Sequence, residues 1–158
     1  MKISGLLRIY IAFLVPAIFG FAVALWARHY SNLAIVVRQD QIVVSAALFI
    51  LSAISAGAAP LLYRIIFAFW NRHRSSVSSD ELYRFERNLI VIIMATPYLA
   101  LCAYVLQVPR LHFTGILLMT LYAVYYYYPG HNRIMADCKI YRVVPAVIAD
   151  IPEPKALP

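Results

Sequence analysis

The chain has 158 residues, of which 63% are hydrophobic and only 13% charged, and it carries a net charge of +7 with a mean hydropathy of +0.75. These values exclude an ordinary water-soluble domain, which holds about 25% charged residues. The basic residues are dispersed along loop edges and form no stripe with base-stacking aromatics, so no nucleic-acid partner is expected.

The first predicted element is an apolar run from Ile9 to Ala27, preceded by Lys2 and Arg8. Ala22-Val23-Ala24 resembles a signal-peptidase site, but the run exceeds the usual length of a signal-peptide core, so it is counted as a retained helix. The loop Arg28 to Gln41 contains Leu33-Ala34-Ile35-Val36-Val37, which is too short to cross a bilayer and is expected at the interface. A second run spans Ile42 to Tyr63, with a possible extension to Trp70 that would bring Arg64 inside it. In the next loop, Ser78 followed by Glu81 matches a capping box. Leu82 and Phe85 then predict a helical turn or two leading into the third run, Leu89 to Val108. Pro109-Arg110 leaves room only for a tight hairpin before the fourth run, Leu111 to Tyr128.

Each run is near the length that spans roughly 30 Å of hydrocarbon at about 1.5 Å per residue. The expected fold is therefore an all-α integral membrane protein: a bundle of four transmembrane helices with short loops over residues 1–128, and a cytoplasmic tail over 129–158. The tail combines a β-leaning piece, Ile140 to Val144, with a proline-rich end, and is expected to be extended. Eleven of the fourteen basic residues fall on the side that holds both termini and the second loop; only Arg28, Arg38 and Arg110 fall on the other. By the positive-inside rule both termini are cytoplasmic, which places a multi-pass chain in a plasma membrane of the bacterial inner-membrane kind. Trp26, Tyr30, Phe67, Trp70 and Tyr125 to Tyr128 fall at the levels expected of interfacial aromatic belts.

Small residues suggest where helices touch. Ala12, Pro16, Gly20 and Ala24 recur every four positions in the first run, and the second holds a dense patch that includes Ala53 and Gly57. Gly20, Ala24, Ala53 and Gly57 are accordingly expected at a close contact between the first two helices. Pro16, Pro60 and Pro97 should kink or loosen three of the four helices.

Arg72, His73 and Arg74 form the basic cluster best suited to anionic lipid headgroups. Chemistry is constrained mainly by what the runs omit. They hold serine, threonine, glutamine and tyrosine but no ionisable carboxylate or amine, which disfavours an ion-driven transporter. The four histidines fall at the two interfaces, His29 and His112 on one side and His73 and His131 on the other, so no haem or other cofactor is expected. Cys102 and Cys138 are predicted too far apart for a disulfide, and two isolated thiols make no metal site. An interfacial enzyme would have to draw on His73, Asp80, Glu81, Glu86, His131 or Asp137, whose spacing selects no reaction.

The expectation is thus a non-catalytic subunit or assembly factor of a larger membrane complex, contacting other membrane protein subunits or its own copies. Tyr141, Val143 and Val147 of the tail are its candidate partner contacts. The alternatives are an oligomeric channel or carrier for neutral or lipid-like solutes, and an interfacial lipid-modifying enzyme.

Overall fold

The computed structural model describes residues 3–30, 41–72 and 76–142, and among these every regular element is helical. In chain order they are α1 (Ile3–Tyr30), α2 (Gln41–Ala53), a π-helical turn (Ile54–Ala58), α3 (Ala59–Asn71), α4 (Ser79–Ile93), α5 (Ala95–Val105), α6 (Arg110–Tyr126) and α7 (His131–Ile140). Three continuous helical rods are long and apolar enough to cross a membrane: Gly5–Tyr30, Ile42–Asn71 and Ser79–Val105. The helix over the last predicted run, α6, has 17 residues, about 26 Å of helix at 1.5 Å per residue.

Two prolines explain the breaks within the rods. Pro60 has no N–H to donate, and one turn before it the ladder widens so that Ala59 N–H donates to the Ile54 carbonyl five residues back. Pro97 cannot donate to the Ile93 carbonyl and its ring crowds that group, and the helix is interrupted three residues earlier at Met94, where ψ is −5°. Pro16 behaves otherwise: α1 continues as an α-helix through it. Ser78 caps α4 as expected, its hydroxyl accepting from Asp80 N–H at 3.3 Å while its own N–H donates to Glu81 at 3.4 Å.

The third rod, α4 with α5, is the centre of the molecule. It packs against α1, α2, α3 and α6, and 44% of its most apolar stretch is buried, against 11% for α1. The first helix meets this rod rather than the second. Leu6, Tyr10 and Ala17 are buried along one stripe, whereas Val15, Ile18, Phe19 and Trp26 face outward. The small-residue contact expected between the first two helices is corrected accordingly. A Cβ on Gly20 would lie 2.6 Å from Leu101 Cδ2 of α5, while one on Gly57 would meet nothing within 4 Å. Gly57 is therefore no packing position among the described residues. It is exposed, while Ala24 and Ala53 are half-buried.

Two apolar clusters fill the bundle. One, built on Ala100, Ala103, Val108 and Ile116, lies towards the α5–α6 hairpin. The other, around Leu82, Phe85, Leu89, Ile90 and Ile93 of α4, lies at the opposite end with Tyr127, Ile134 and Cys138. Between them sits a neutral polar layer. Ser55 Oγ donates to the Ile92 carbonyl at 3.0 Å, beside the Met94 interruption, and lies 3.1 Å from Thr96 Oγ1. Thr120 Oγ1 donates to the Ile116 carbonyl at 2.8 Å. The hydroxyl of Ser55 thus reaches a carbonyl where the helix ladder is disturbed, the usual way in which a broken helix is tolerated away from water.

The hairpin from α5 to α6 is closed by Val108 N–H donating to the Ala103 carbonyl at 3.1 Å, with Gln107 in the left-handed region at φ 53°. Beyond α6 the structure differs from the extended tail expected from 129 onward. Residues 131–140 form α7, which buries Ile134, Asp137 and Cys138 at helical spacing against the bundle. Pro129 ends the preceding helix, and Gly130 serves as N-cap.

Candidate functional site

The end of the bundle that carries α7 holds four ionisable side chains drawn from three helices. Arg64 comes from α3, Glu86 from α4, and Arg133 and Asp137 from α7. Arg64 follows from the longer reading of the second run, because α3 continues to Asn71. Glu86 falls on the buried stripe of α4 with Leu82, Phe85, Leu89 and Ile93, so the helix that supplies the core also carries a carboxylate into it. Arg133 and Asp137 stand one turn apart on α7 and face the same way.

Arg133 organises the cluster. One terminal nitrogen donates to Glu86 Oε2 at 2.8 Å and the other to the Tyr127 carbonyl at 2.7 Å. Its Nε stands 3.9 Å from Asp137 Oδ2, an ion pair beyond hydrogen-bonding distance. Arg64 reaches the same Asp137 oxygen at 3.4 Å. Both guanidinium groups lie over the Tyr127 ring, at 5.9 and 5.2 Å from its centroid. Glu86 is 1% exposed, and its Oε1 has no hydrogen-bond partner among the described residues. Two cations and two carboxylates leave the cluster formally neutral.

Glu86 precedes the third apolar run, which begins at Leu89, by three residues. Burial raises the pKa of its carboxyl, Arg133 opposes that, and the neighbouring Asp137 adds to it. On α7, burial raises the pKa of the Cys138 thiol, with Asp137 acting in the same direction. A raised thiol is the reverse of an activated nucleophile, which requires a depressed pKa. The aromatic surround is close-packed: Phe85 stacks on Tyr63 and Phe67 with centroids 5.1 and 4.1 Å apart, and Tyr141 meets Phe67 edge-on at 5.1 Å. Beside them an open cleft of about 300 Å³ is lined by Trp70, Asn71, Glu81 and Arg84 together with Tyr63, Phe67 and Phe85.

The residues singled out from sequence are dispersed. Arg72 is exposed at the end of α3, while His73 and Arg74 lie outside the described residues. Tyr141 is half-buried against Phe67 and Phe85 and so packs within its own chain; Val143 and Val147 lie outside the described residues. Of the carboxylates weighed for an interfacial enzyme, Glu86 and Asp137 are brought together, whereas Asp80 and Glu81 stand at the N-terminus of α4. Arg133 entered the sequence reading only among the basic residues that set topology, and Arg64 also as a residue inside the extended second run, although an arginine inside an apolar run is itself a sign of a buried partner. Among the described residues no group of three or more His, Cys, Asp or Glu side chains is placed to hold a metal ion.

Set against known proteins, the chain matches no family model, no curated sequence and no solved structure.

Proposed function

We propose that the chain is a four-span protein of a plasma membrane of the bacterial inner-membrane kind, with both termini cytoplasmic, and that it serves as a non-catalytic subunit or assembly factor of a larger membrane complex. The observation that carries this reading is the engagement of Arg64, Glu86, Arg133 and Asp137 with one another. The groups best placed for chemistry are used to hold α7 against the bundle, and burial raises the pKa of the nearby Cys138 thiol. What remains available is surface. The first helix in particular is packed along a single stripe and presents Val15, Ile18, Phe19, Leu25 and Trp26 outward, a face open to lipid or to a neighbouring helix. Helix α6 is within the length range of a span. The excess of basic residues on the α7 side supports the orientation and an attraction to anionic headgroups there.

Two experiments test the proposal. Reporter fusions after Trp70 and after Pro158 should both report cytoplasm and one near Ser31 the opposite side; an external C-terminus would overturn the four-span topology. Isolation of the full-length protein in native lipid particles should recover a stoichiometric protein partner. Recovery as a lone monomer would overturn the subunit reading, and a symmetric homo-oligomer with a polar axis would replace it with a channel or carrier.

A further inference from the structure

At the end of the bundle away from α7 the charge balance is different. The four acidic residues among the described positions, Asp80, Glu81, Glu86 and Asp137, all belong to α4 or α7. The opposite end carries Arg28, in the last turn of α1, and Arg110, the first residue of α6. These two arginines line one cleft of about 410 Å³ together with Tyr104, Gln107 and Phe113. Neither takes part in an ion pair among the described residues.

The cleft is built by rigid parts. Tyr104 forms its floor between Phe21 and Phe113, with ring centroids 6.0 and 5.9 Å away, and the Arg28 guanidinium lies 5.5 Å over that ring. A guanidinium over a ring face is attracted by the ring while its N–H groups stay available as donors. Gln107 is held at the rim by the closed hairpin turn, in which its own N–H donates to the Tyr104 carbonyl at 3.2 Å. Arg28 therefore stands at the end of a membrane-length helix, near Trp26 and Tyr30 in the chain and over the Tyr104 ring, while Arg110 at the start of α6 lines the same cleft, and neither meets a counter-charge from the described residues.

We propose that this cleft binds a phosphate group, and that the phosphate is the headgroup of an anionic phospholipid whose acyl chains lie along the exposed apolar faces of α1 and α6. Two guanidinium forks suit phosphate oxygens, because each can donate two parallel hydrogen bonds to one anion. A basic pocket between helices at headgroup level is the arrangement in which anionic lipids are held. Exposed apolar side chains stand close to each arginine to receive the chains: Leu25 lies three residues before Arg28 on α1, and Leu111 follows Arg110 on α6. A free phosphate offers the same oxygens without the chains, so the two sources are separable.

The test uses the full-length protein in mild detergent, titrated with phosphatidylglycerol, phosphatidylcholine or inorganic phosphate and observed by native mass spectrometry. Phosphatidylglycerol should bind in preference to phosphatidylcholine, and Arg28→Ala with Arg110→Ala should weaken it about tenfold or more. Arg8→Ala with Arg87→Ala removes the same charge elsewhere and should change it little. Arg110→Gln alone, at an exposed position, provides a variant whose folding is not at risk and should show a partial loss. If inorganic phosphate displaces the lipid at equal concentration, the site belongs to a soluble anion and the lipid assignment is overturned. Equal loss in both double variants, or no loss in either, overturns the site itself.

Discussion

Replacement of Arg133 by leucine separates the two things this side chain does, pairing charge and filling space. The substitution keeps apolar volume at a position whose side chain is 16% exposed but leaves Glu86, with its side chain 1% exposed, facing no cation at 2.8 Å. Removing one partner of a buried pair typically costs about 3–5 kcal/mol, whereas replacing both by apolar residues is close to neutral. Asp137 keeps Arg64, at the longer distance of 3.4 Å, so the damage should centre on Glu86 and on the docking of α7. The pH dependence follows from the sign of the shift. A carboxyl whose pKa is raised by folding binds its proton more tightly in the folded state. Stability therefore falls as pH rises from the ordinary carboxyl value through the raised one. Loss of Arg133 removes the main influence that lowers it, so Arg133→Leu should be nearer to wild type at pH 5 than at pH 8. The assay is thermal unfolding in detergent, paired with alkylation of Cys138, which is 7% exposed on α7 and should become accessible when that helix lifts. Glu86→Leu combined with Arg133→Leu should recover most of the loss. Wild-type stability and unchanged Cys138 labelling in Arg133→Leu at pH 8 would refute the view that this cluster secures α7.

Packing and the polar layer give two further tests. Gly20→Leu should destabilise by about 1–3 kcal/mol because Leu101 already occupies the space, while Gly57→Ala should be neutral or stabilise by roughly 0.5–1 kcal/mol because nothing lies in the way; reversed ranking of their unfolding temperatures would contradict the packing of α1 on α5. Ser55→Ala should cost about 1 kcal/mol through the lost bond to the Ile92 carbonyl. Ser45→Ala, whose hydroxyl bonds only within its own helix to the Ile42 carbonyl, should cost less, as measured by denaturation in mixed micelles.

The helices could be read from the sequence because each depends on a continuous stretch of its own residues. Ile9 to Ala27, Leu89 to Val108 and Leu111 to Tyr128 are continuous apolar stretches, and a helix pairs the backbone groups of such a stretch within itself. The start of α4 was equally local, because Ser78 and Glu81 meet across three residues. The interruptions near Pro60 and Pro97 follow from a missing N–H, also a property of one residue. The tail shows the limit of such reading. Ile134, Asp137, Cys138 and Tyr141 recur at helical spacing, yet the prolines and β-branched residues beyond them suggested an extended chain, and it was the apolar surface at the end of the bundle that made a short helix worth forming. Nor could spacing distinguish Gly20 from Gly57, since both sit in small-residue patches and only the position of Leu101 decides which is crowded. The ionic cluster was the least legible part. Arg133 meets Glu86 across 47 residues and Arg64 meets Asp137 across 73, and in the sequence these are scattered interfacial charges. Local composition determined that the chain forms long apolar helices; which charges were buried together was decided by where α7 folds back, bringing Arg133 to Glu86 of α4 and Asp137 to Arg64 of α3, because removal from water turns scattered charges into partners.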